Sequence, residues 1–368
     1  MTRRRPARSP SREEHELPAT DVAVDYDPQI PEQPLGIGIL GCGWIARDAH
    51  LPGYAKYGLP VRGVFDIDPA AMADAQSRFG VPAYASADEL LADPEVQVVD
   101  VAARTEDRFP LVQQALRAGK HVLSQKPFAN DLDEAEAIVA LAEDVGRTVA
   151  VNQNGRWAPA WRTATLWREQ GRIGDVVTVS HAFETSFAWT RERHFNDQAH
   201  FVVYDYAAHW FDITRCWLAG KHVEQVRAWD SRSAAQPADA KTPWNMFAEV
   251  RCSDGATATI QGTGSASPDV APVHNFALVG TAGTIRGHVL DEDMAELHTA
   301  ARSTRIVPRT TWFPDGFAGT MAELQNAIID GREPFNSGRH VLASLAFGHA
   351  AVESAEDGGR PVRLDIDL

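Results

Sequence analysis

The chain has 368 residues, 44% of them hydrophobic and 23% charged, the balance of a globular protein with material for more than one core. A formal net charge of −15 argues against polyanionic partners, nucleic acids and acidic membrane surfaces alike. Three scattered cysteines, Cys42, Cys216 and Cys252, give neither a disulfide framework nor a cysteine zinc site, and no apolar run approaches the roughly 18 residues that span a bilayer.

Residues 1–34 are rich in Arg, Glu, Pro and Ser without apolar periodicity. They are expected to form a disordered tail, or an arm that packs on a partner subunit. Arg3-Arg4-Arg5 opens like an export signal but lacks the apolar segment that should follow, so a cytoplasmic location is expected.

Residues 35–155 alternate strand and helix. Strands are expected at 35–40, 61–65, 96–102, 121–124 and 148–152, with helices at 70–79, 109–118 and 132–145, each helix closed by a glycine. This alternation implies an α/β, doubly wound parallel sheet. From residue 156 to 368 the character changes. A helix at 160–169 precedes longer strands at 176–183, 222–229, 245–251, 256–262 and 275–279, and helices return at 321–329 and 341–355. Alternating polarity in these strands suits an antiparallel sheet covered on one face, and hence a second, α+β domain.

The first strand runs into Gly41-Cys42-Gly43-Trp44-Ile45-Ala46 and then a helix. In such a turn the first glycine permits the sharp bend and the second lets a diphosphate approach the backbone. The third small residue, Ala46, lets helix and strand pack closely. The N–H groups of the following helix then face the phosphate. Asp66 ends the second strand, 23 residues after Gly43, near the spacing expected of an acid that binds ribose hydroxyls. A carboxylate there repels a 2′-phosphate, and Ile67 and Asp68 supply no arginine for one, so NAD is favoured over NADP. Asp68-Pro69 has the pattern of a helix cap.

Lys126-Pro127 follows the fourth strand, at the carboxyl edge where ligands bind in such sheets. Lys126 there is either a residue that binds a substrate hydroxyl or an ordinary turn lysine. Asp205 and His209 lie four apart, expected on one helix face, where a histidine can take a hydroxyl proton as hydride departs. The same spacing suits a structural His–Asp pair or a metal site, although no third ligand is evident. Aromatic residues crowd the span from Trp157 to Trp217, as core packing or as stacking surfaces for sugar rings.

Taken together, these pieces resemble the glucose–fructose oxidoreductase / inositol dehydrogenase / rhizopine-catabolism (Gfo/Idh/MocA) family. The resemblance runs from about 35 to 365 and rests on GCGWIA at 41–46, VFDIDP at 64–69, ALRAGKHVLSQKP at 115–127, VNQNGRWAPAW at 151–161, GRIGDV at 171–176 and YDYAAHWFD at 204–212. It implies an N-terminal Rossmann domain, a C-terminal α+β domain with a large, mostly antiparallel sheet, and a homodimer or homotetramer. It also implies oxidation of a secondary hydroxyl of a sugar, inositol or related polyol by NAD(P), with no metal. Lys126, Asp205 and His209 would be catalytic. Cofactor contacts would come from Gly41, Gly43, Trp44, Ile45, Asp66, Thr105, Gln125 and Lys126, and substrate contacts from Lys126, Asn152, Arg156, Asp205 and His209. Two departures stand out. Gln125 replaces the family's usual Glu, and Thr105-Glu106-Asp107 replaces its usual Thr-Pro-Asn. Relatives that retain NAD through a redox-neutral reaction, or that only sense NAD or a sugar, are the alternatives.

Overall fold

The computed structural model describes residues 23–290 and 292–368. Five short strands form the first sheet: β1 (Ile37–Leu40), β2 (Val61–Phe65), β3 (Val98–Val101), β4 (His121–Gln125) and β5 (Val149–Asn152). They are all parallel, in the order β2-β1-β3-β4-β5. Every residue of β1, β3 and β5 is buried, as continuous apolar strands require when helices cover both faces. The helices are α1 (Leu51–Tyr57), α2 (Pro69–Phe79), α3 (Ala87–Ala92), α4 (Thr105–Arg117) and α5 (Leu132–Asp144). Three have side-chain caps. Asp68 accepts from Ala70 N, Ser86 from Glu89 N and Asp131 from Glu134 N, each satisfying an otherwise orphaned donor of the first turn.

Helix α6 (Pro159–Glu169) leads into a nine-stranded sheet made of β6 (Val176–Glu184), β7 (His222–Ser231), β8 (Asn245–Cys252), β9 (Thr257–Thr263), β10 (Val273–Gly280), β11 (Gly283–His288), β12 (Met294–Thr299), β13 (Ser303–Ile306) and β14 (Val362–Asp367). Its order is β13-β12-β11-β10-β6-β9-β8-β7-β14, and only the β6–β9 pair is parallel. Helices α6, α7 (Ala208–Trp217) and α9 (Gly338–Glu356) pack against this sheet. The expected mixture of a parallel Rossmann sheet and a large, mostly antiparallel one is what the chain forms. Strands β11–β14 and helix α3 go beyond the expected elements. They are short and rich in Gly, Arg, His, Asp or Glu, and tertiary pairing supplies what their local propensity lacks.

Chain order and packing diverge at one place. Ala318, Met321 and Leu324 of α8 (Phe317–Asp330) share a core with β1, and Val341 and Leu345 of α9 share one with β3 and β5. Both faces of the first sheet are thus partly covered from the far end of the sequence. A division at 155/156 remains our proposal for the chain order alone. The tail expected over 1–34 also needs a distinction. Residues 1–22 lie outside the described residues, whereas 23–34 run along the protein's own surface. Asn326 Nδ2 donates to Gln29 O (2.7 Å), Thr310 Oγ1 to Asp27 Oδ1 (3.0 Å), and Ile30 packs beside the β1 core. No described helix is long and apolar enough to cross a membrane.

The second core centres on Trp161, which meets Trp210, Trp217 and Trp312 at centroid separations of 5.6, 6.2 and 4.9 Å. Trp161, Phe183, Phe187 and Trp210 are buried packing residues, so for them the aromatic run is core; Trp189 is exposed. His181 of β6 lies in this core, stacked on Trp217 at 5.3 Å with Nε2 3.1 Å from Thr214 Oγ1. Burial pushes its pKa down to about 3. Between that value and the ordinary histidine range near ~6.5 the unfolded chain holds a proton here that the folded chain lacks, so stability rises with pH across this window and is flat above it. The melting temperature should therefore fall on acidification from about pH 7 to about pH 5, and His181→Gln should lessen that fall. An identical slope in the variant would refute the assignment.

Candidate active site at the carboxyl edge of the parallel sheet

The glycine-rich turn is held from two sides. Gly41 has φ +99°, and a Cβ on it would stand 2.8 Å from Ala103 N, so only glycine fits both the conformation and the gap. Gly43 differs: no described atom lies within 4 Å of a Cβ placed there. The backbone is bare where a diphosphate would need to approach it. Trp44 is exposed, Ile45 is half-buried, and a π-helical turn (Ala46–His50) continues into α1. Asp66 directly follows β2. Its carboxylate accepts from Cys42 N (2.6 Å) and Asp68 N (2.8 Å), tying the turn to the second strand. Burial and the Asp66 charge push the Cys42 thiol up to about 12, which keeps it protonated and unreactive. Thr105 begins α4, just beyond the Ala102–Ala103 backbone on which Gly41 packs. These features fit an NAD-sized dinucleotide: a bare turn, a helix start and an acid at the second strand.

Lys126 extends from the end of β4. Its Nζ donates to Asp205 Oδ1 (2.9 Å) and to the Asp205 carbonyl oxygen (3.0 Å). Gln125 precedes it, buried, with Oε1 accepting from Lys126 N (2.9 Å). A neutral amide therefore takes a backbone bond at the position where a carboxylate is usual in the resembled family. The expected single helix through Asp205 and His209 is replaced by two pieces. Asp205 lies in a π-helical turn (Val202–Tyr206), and α7 starts at Ala208. The wider turn re-aims a side chain relative to an α-helix, and the Asp205 carboxylate meets Lys126 rather than His209.

His209 stands in the first turn of α7, buried, with Nδ1 lacking a hydrogen-bond partner among the described residues. Its ring meets Trp312 edge-on at 5.1 Å. Burial, reinforced by the Lys126 charge, holds its pKa well below the ordinary histidine range. At neutral pH the imidazole is therefore uncharged and able to accept a proton. Lys126, Asp205 and His209 are thus brought together.

Asn152 and Arg156 take other parts. Asn152 is fully buried at the end of β5, with Nδ2 3.3 Å from His50 Nε2. Arg156 makes a bidentate pair with Asp212 of α7, Nε to Oδ2 at 2.7 Å and a terminal nitrogen to Oδ1 at 2.6 Å, and it also donates to the Phe335 carbonyl. Burial alone would disfavour its charge, but Asp212 outweighs that and keeps the guanidinium protonated. The side chain expected to touch substrate is committed to holding α7.

Two sets of residues escaped the sequence reading. Arg108 is buried and donates to the carbonyls of Gln125, Pro127 and Ala103, so it bridges the turns after β3 and β4 and fixes the backbone on both sides of Lys126. Burial lowers its pKa to about 10, which leaves it charged at pH 7. His50 Nδ1 and Tyr54 OH both approach Asp100 Oδ2, at 2.6 and 2.7 Å, beneath the glycine-rich turn and fully buried. One isolated Arg and one isolated His carry no periodic signal, so only the fold joins them to their partners. Among the described residues no group of three or more His, Cys, Asp or Glu side chains is placed to hold a metal ion.

Comparison with known proteins decides the family. Residues 35–153 match the model of an oxidoreductase family with an NAD-binding Rossmann fold, and residues 161–286 match the GFO/IDH/MocA C-terminal domain. The chain belongs to the Gfo/Idh/MocA family. Its first domain is thus an NAD-binding Rossmann fold, as the glycine-rich turn implied. D-apiose dehydrogenase of Paraburkholderia graminis is 27% identical over 342 residues, 89% of this chain and 88% of the relative. The uncharacterized protein YMR315W of Saccharomyces cerevisiae is 35% identical over 153 residues, a match that spans only 40% of this chain and 43% of the yeast protein. An oxidoreductase from Agrobacterium radiobacter, solved with NAD+, L-tartaric acid and magnesium, shares the fold with a TM-score of 0.78 at 23% identity, over 90% of this chain and 98% of that one.

The Arg156–Asp212 pair yields a stability prediction. Arg156→Met leaves the Asp212 carboxylate buried without its counter-charge, a loss of about 3–5 kcal/mol to be read by denaturant unfolding. A change below about 1 kcal/mol would show that the pair is dispensable.

Proposed function

We propose that this Gfo/Idh/MocA protein is an NAD-dependent dehydrogenase acting on a secondary hydroxyl of a sugar, inositol or related polyol. The reading is carried by one arrangement: a lysine ammonium, its carboxylate partner and a neutral, buried histidine gathered at the carboxyl edge of a dinucleotide-binding sheet. Bound NAD supplies the hydride acceptor. Lys126 Nζ donates a hydrogen bond to the substrate oxygen and stabilises the charge that builds there. His209 takes the hydroxyl proton on its neutral imidazole. Asp205 holds the Lys126 ammonium in place through the paired hydrogen bonds to its side chain and carbonyl, and Arg108 fixes the backbone that carries it. Asn152 and Arg156 act here as positioning residues, through His50 and α7 respectively.

Asp66 favours NAD over NADP, because a carboxylate already anchored to the turn repels a 2′-phosphate. The outer face of the nine-stranded sheet presents Thr178, Ser180, Ala182, Thr257, Thr259 and Phe247, all half-buried in the single chain. A weakly polar row of this kind suits association with a second copy, and we propose a homodimer or homotetramer.

Two measurements test the reading. Purified protein with NAD and a panel of sugars and inositols should generate reduced cofactor. Lys126→Ala should lower kcat by about 100-fold or more with NAD binding retained; full activity in the variant, or no turnover across the panel in either direction, would sink the proposal. Separately, kcat/KM with NAD should exceed that with NADP by at least about tenfold, and the reverse ratio would remove Asp66 from its role.

A further inference from the structure

The segment after β6 crosses from the second domain to the glycine-rich turn. It begins at Phe187, whose ring lies 4.5 Å from Tyr206, the residue next to Asp205. It makes 3-10 turns at Ala188–Thr190 and His194–Asp197. It is stapled down by Asn196, whose Nδ2 donates to the Arg191 and Asp239 carbonyls and whose Oδ1 accepts from Lys241 N (2.8 Å). Between the two turns stands Arg193. Its guanidinium carbon lies 4.7 Å from the centroid of the Trp44 ring and 5.5 Å from that of Trp189. One of these rings belongs to the dinucleotide turn and the other to the crossing segment.

Arg193 is an exposed cation in a chain of net charge −15, yet among the described residues it has no carboxylate partner. Its neighbour Arg191 has one, pairing with Asp239 at 2.5 Å. A guanidinium that lies over two rings without a carboxylate keeps N–H donors for a ligand, and its planar fork matches the two oxygens of a phosphate or carboxylate. The rings also order the long side chain before a ligand arrives, so less conformational freedom is lost on binding.

We propose that Arg193 is an anion-recognition residue beside the glycine-rich turn, preorganised by Trp44 and Trp189 to grip an oxyanion of the bound molecules. Resting on the functional reading above, that oxyanion is either the diphosphate of NAD on the adjoining turn or an acidic group on the sugar substrate. In both cases the fork of one residue reaches from the second domain to a ligand held by the first.

Equilibrium titrations with NAD, inorganic pyrophosphate, D-glucuronate and D-glucose, on the wild type and on Arg193→Gln, test this. The variant is expected to bind either NAD or D-glucuronate at least about tenfold more weakly, with D-glucose within about twofold and the melting temperature unchanged. A loss for NAD and pyrophosphate assigns the diphosphate, and a loss confined to D-glucuronate assigns an acidic substrate. Affinities within about twofold for all the anions, or an equal loss for D-glucose and D-glucuronate, would overturn the proposal. Failure of the wild type to bind NAD would defeat the functional reading instead, while pyrophosphate and D-glucuronate would still decide the role of Arg193.

Discussion

The pair between Arg156 and Asp212 is the joint on which the cleft is built. Arg156 lies just past the last strand of the Rossmann sheet, and Asp212 lies one turn beyond His209 on α7. Ser344 of α9 donates to the same carboxylate at 2.7 Å, and the Phe335 carbonyl accepts from the same guanidinium. Four separate stretches of chain thus converge on one buried ion pair. A pair like this is worth little as net stabilisation, since desolvation offsets much of its attraction, but it is intolerant of partial loss. Its value is geometric: it fixes the distance between the strand that carries Asn152 and the helix that carries His209.

The charges around the cleft follow from similar constraints. Lys126 is presented by a turn whose carbonyls are gathered by Arg108, so one buried cation shapes the backbone for another. His209 lies within the field of that lysine and within an apolar wall containing Trp312, and both effects favour the neutral ring. On the proposed reading, the base and the cation are kept distinct by environment as well as by residue type. Gln125, where a charge is usual, accepts from the Lys126 backbone and leaves Asp205 as the carboxylate that pairs with the ammonium.

Much of this was legible in the sequence, for identifiable reasons. The parallel strands announced themselves as continuous apolar runs, and Asp68-Pro69 as a cap, because burial on two faces and a proline at the first helical position leave local traces. The glycine-rich turn was readable because its residues are contiguous. Lys126 was legible from its place at the end of a strand, and Asp205 and His209 from their four-residue spacing, but the pairing of Lys126 with Asp205 was not. A π-helical turn between 202 and 206 changes which neighbour Asp205 meets, and no spacing rule reports such a turn. The family resemblance placed Arg156 near substrate, and its pairing with Asp212 was not legible because the two lie 56 residues apart in the chain. Strands β11–β14 were missed because they acquire their order from pairing rather than from composition.

Helices α8 and α9 close the first sheet although more than 150 residues separate them from β5. During synthesis the dinucleotide-binding sheet must therefore wait, partly uncovered, until the chain beyond residue 316 has emerged. Ile37, Ile39 and Ala150 would meanwhile lack the apolar neighbours that α8 provides. The two domains are distinct as architecture but are not interchangeable cassettes. Cut at its last strand, this nucleotide domain would lose the apolar cover that the returning helices give both of its faces. That tie makes the first sheet and the two late helices that cover it one folding unit.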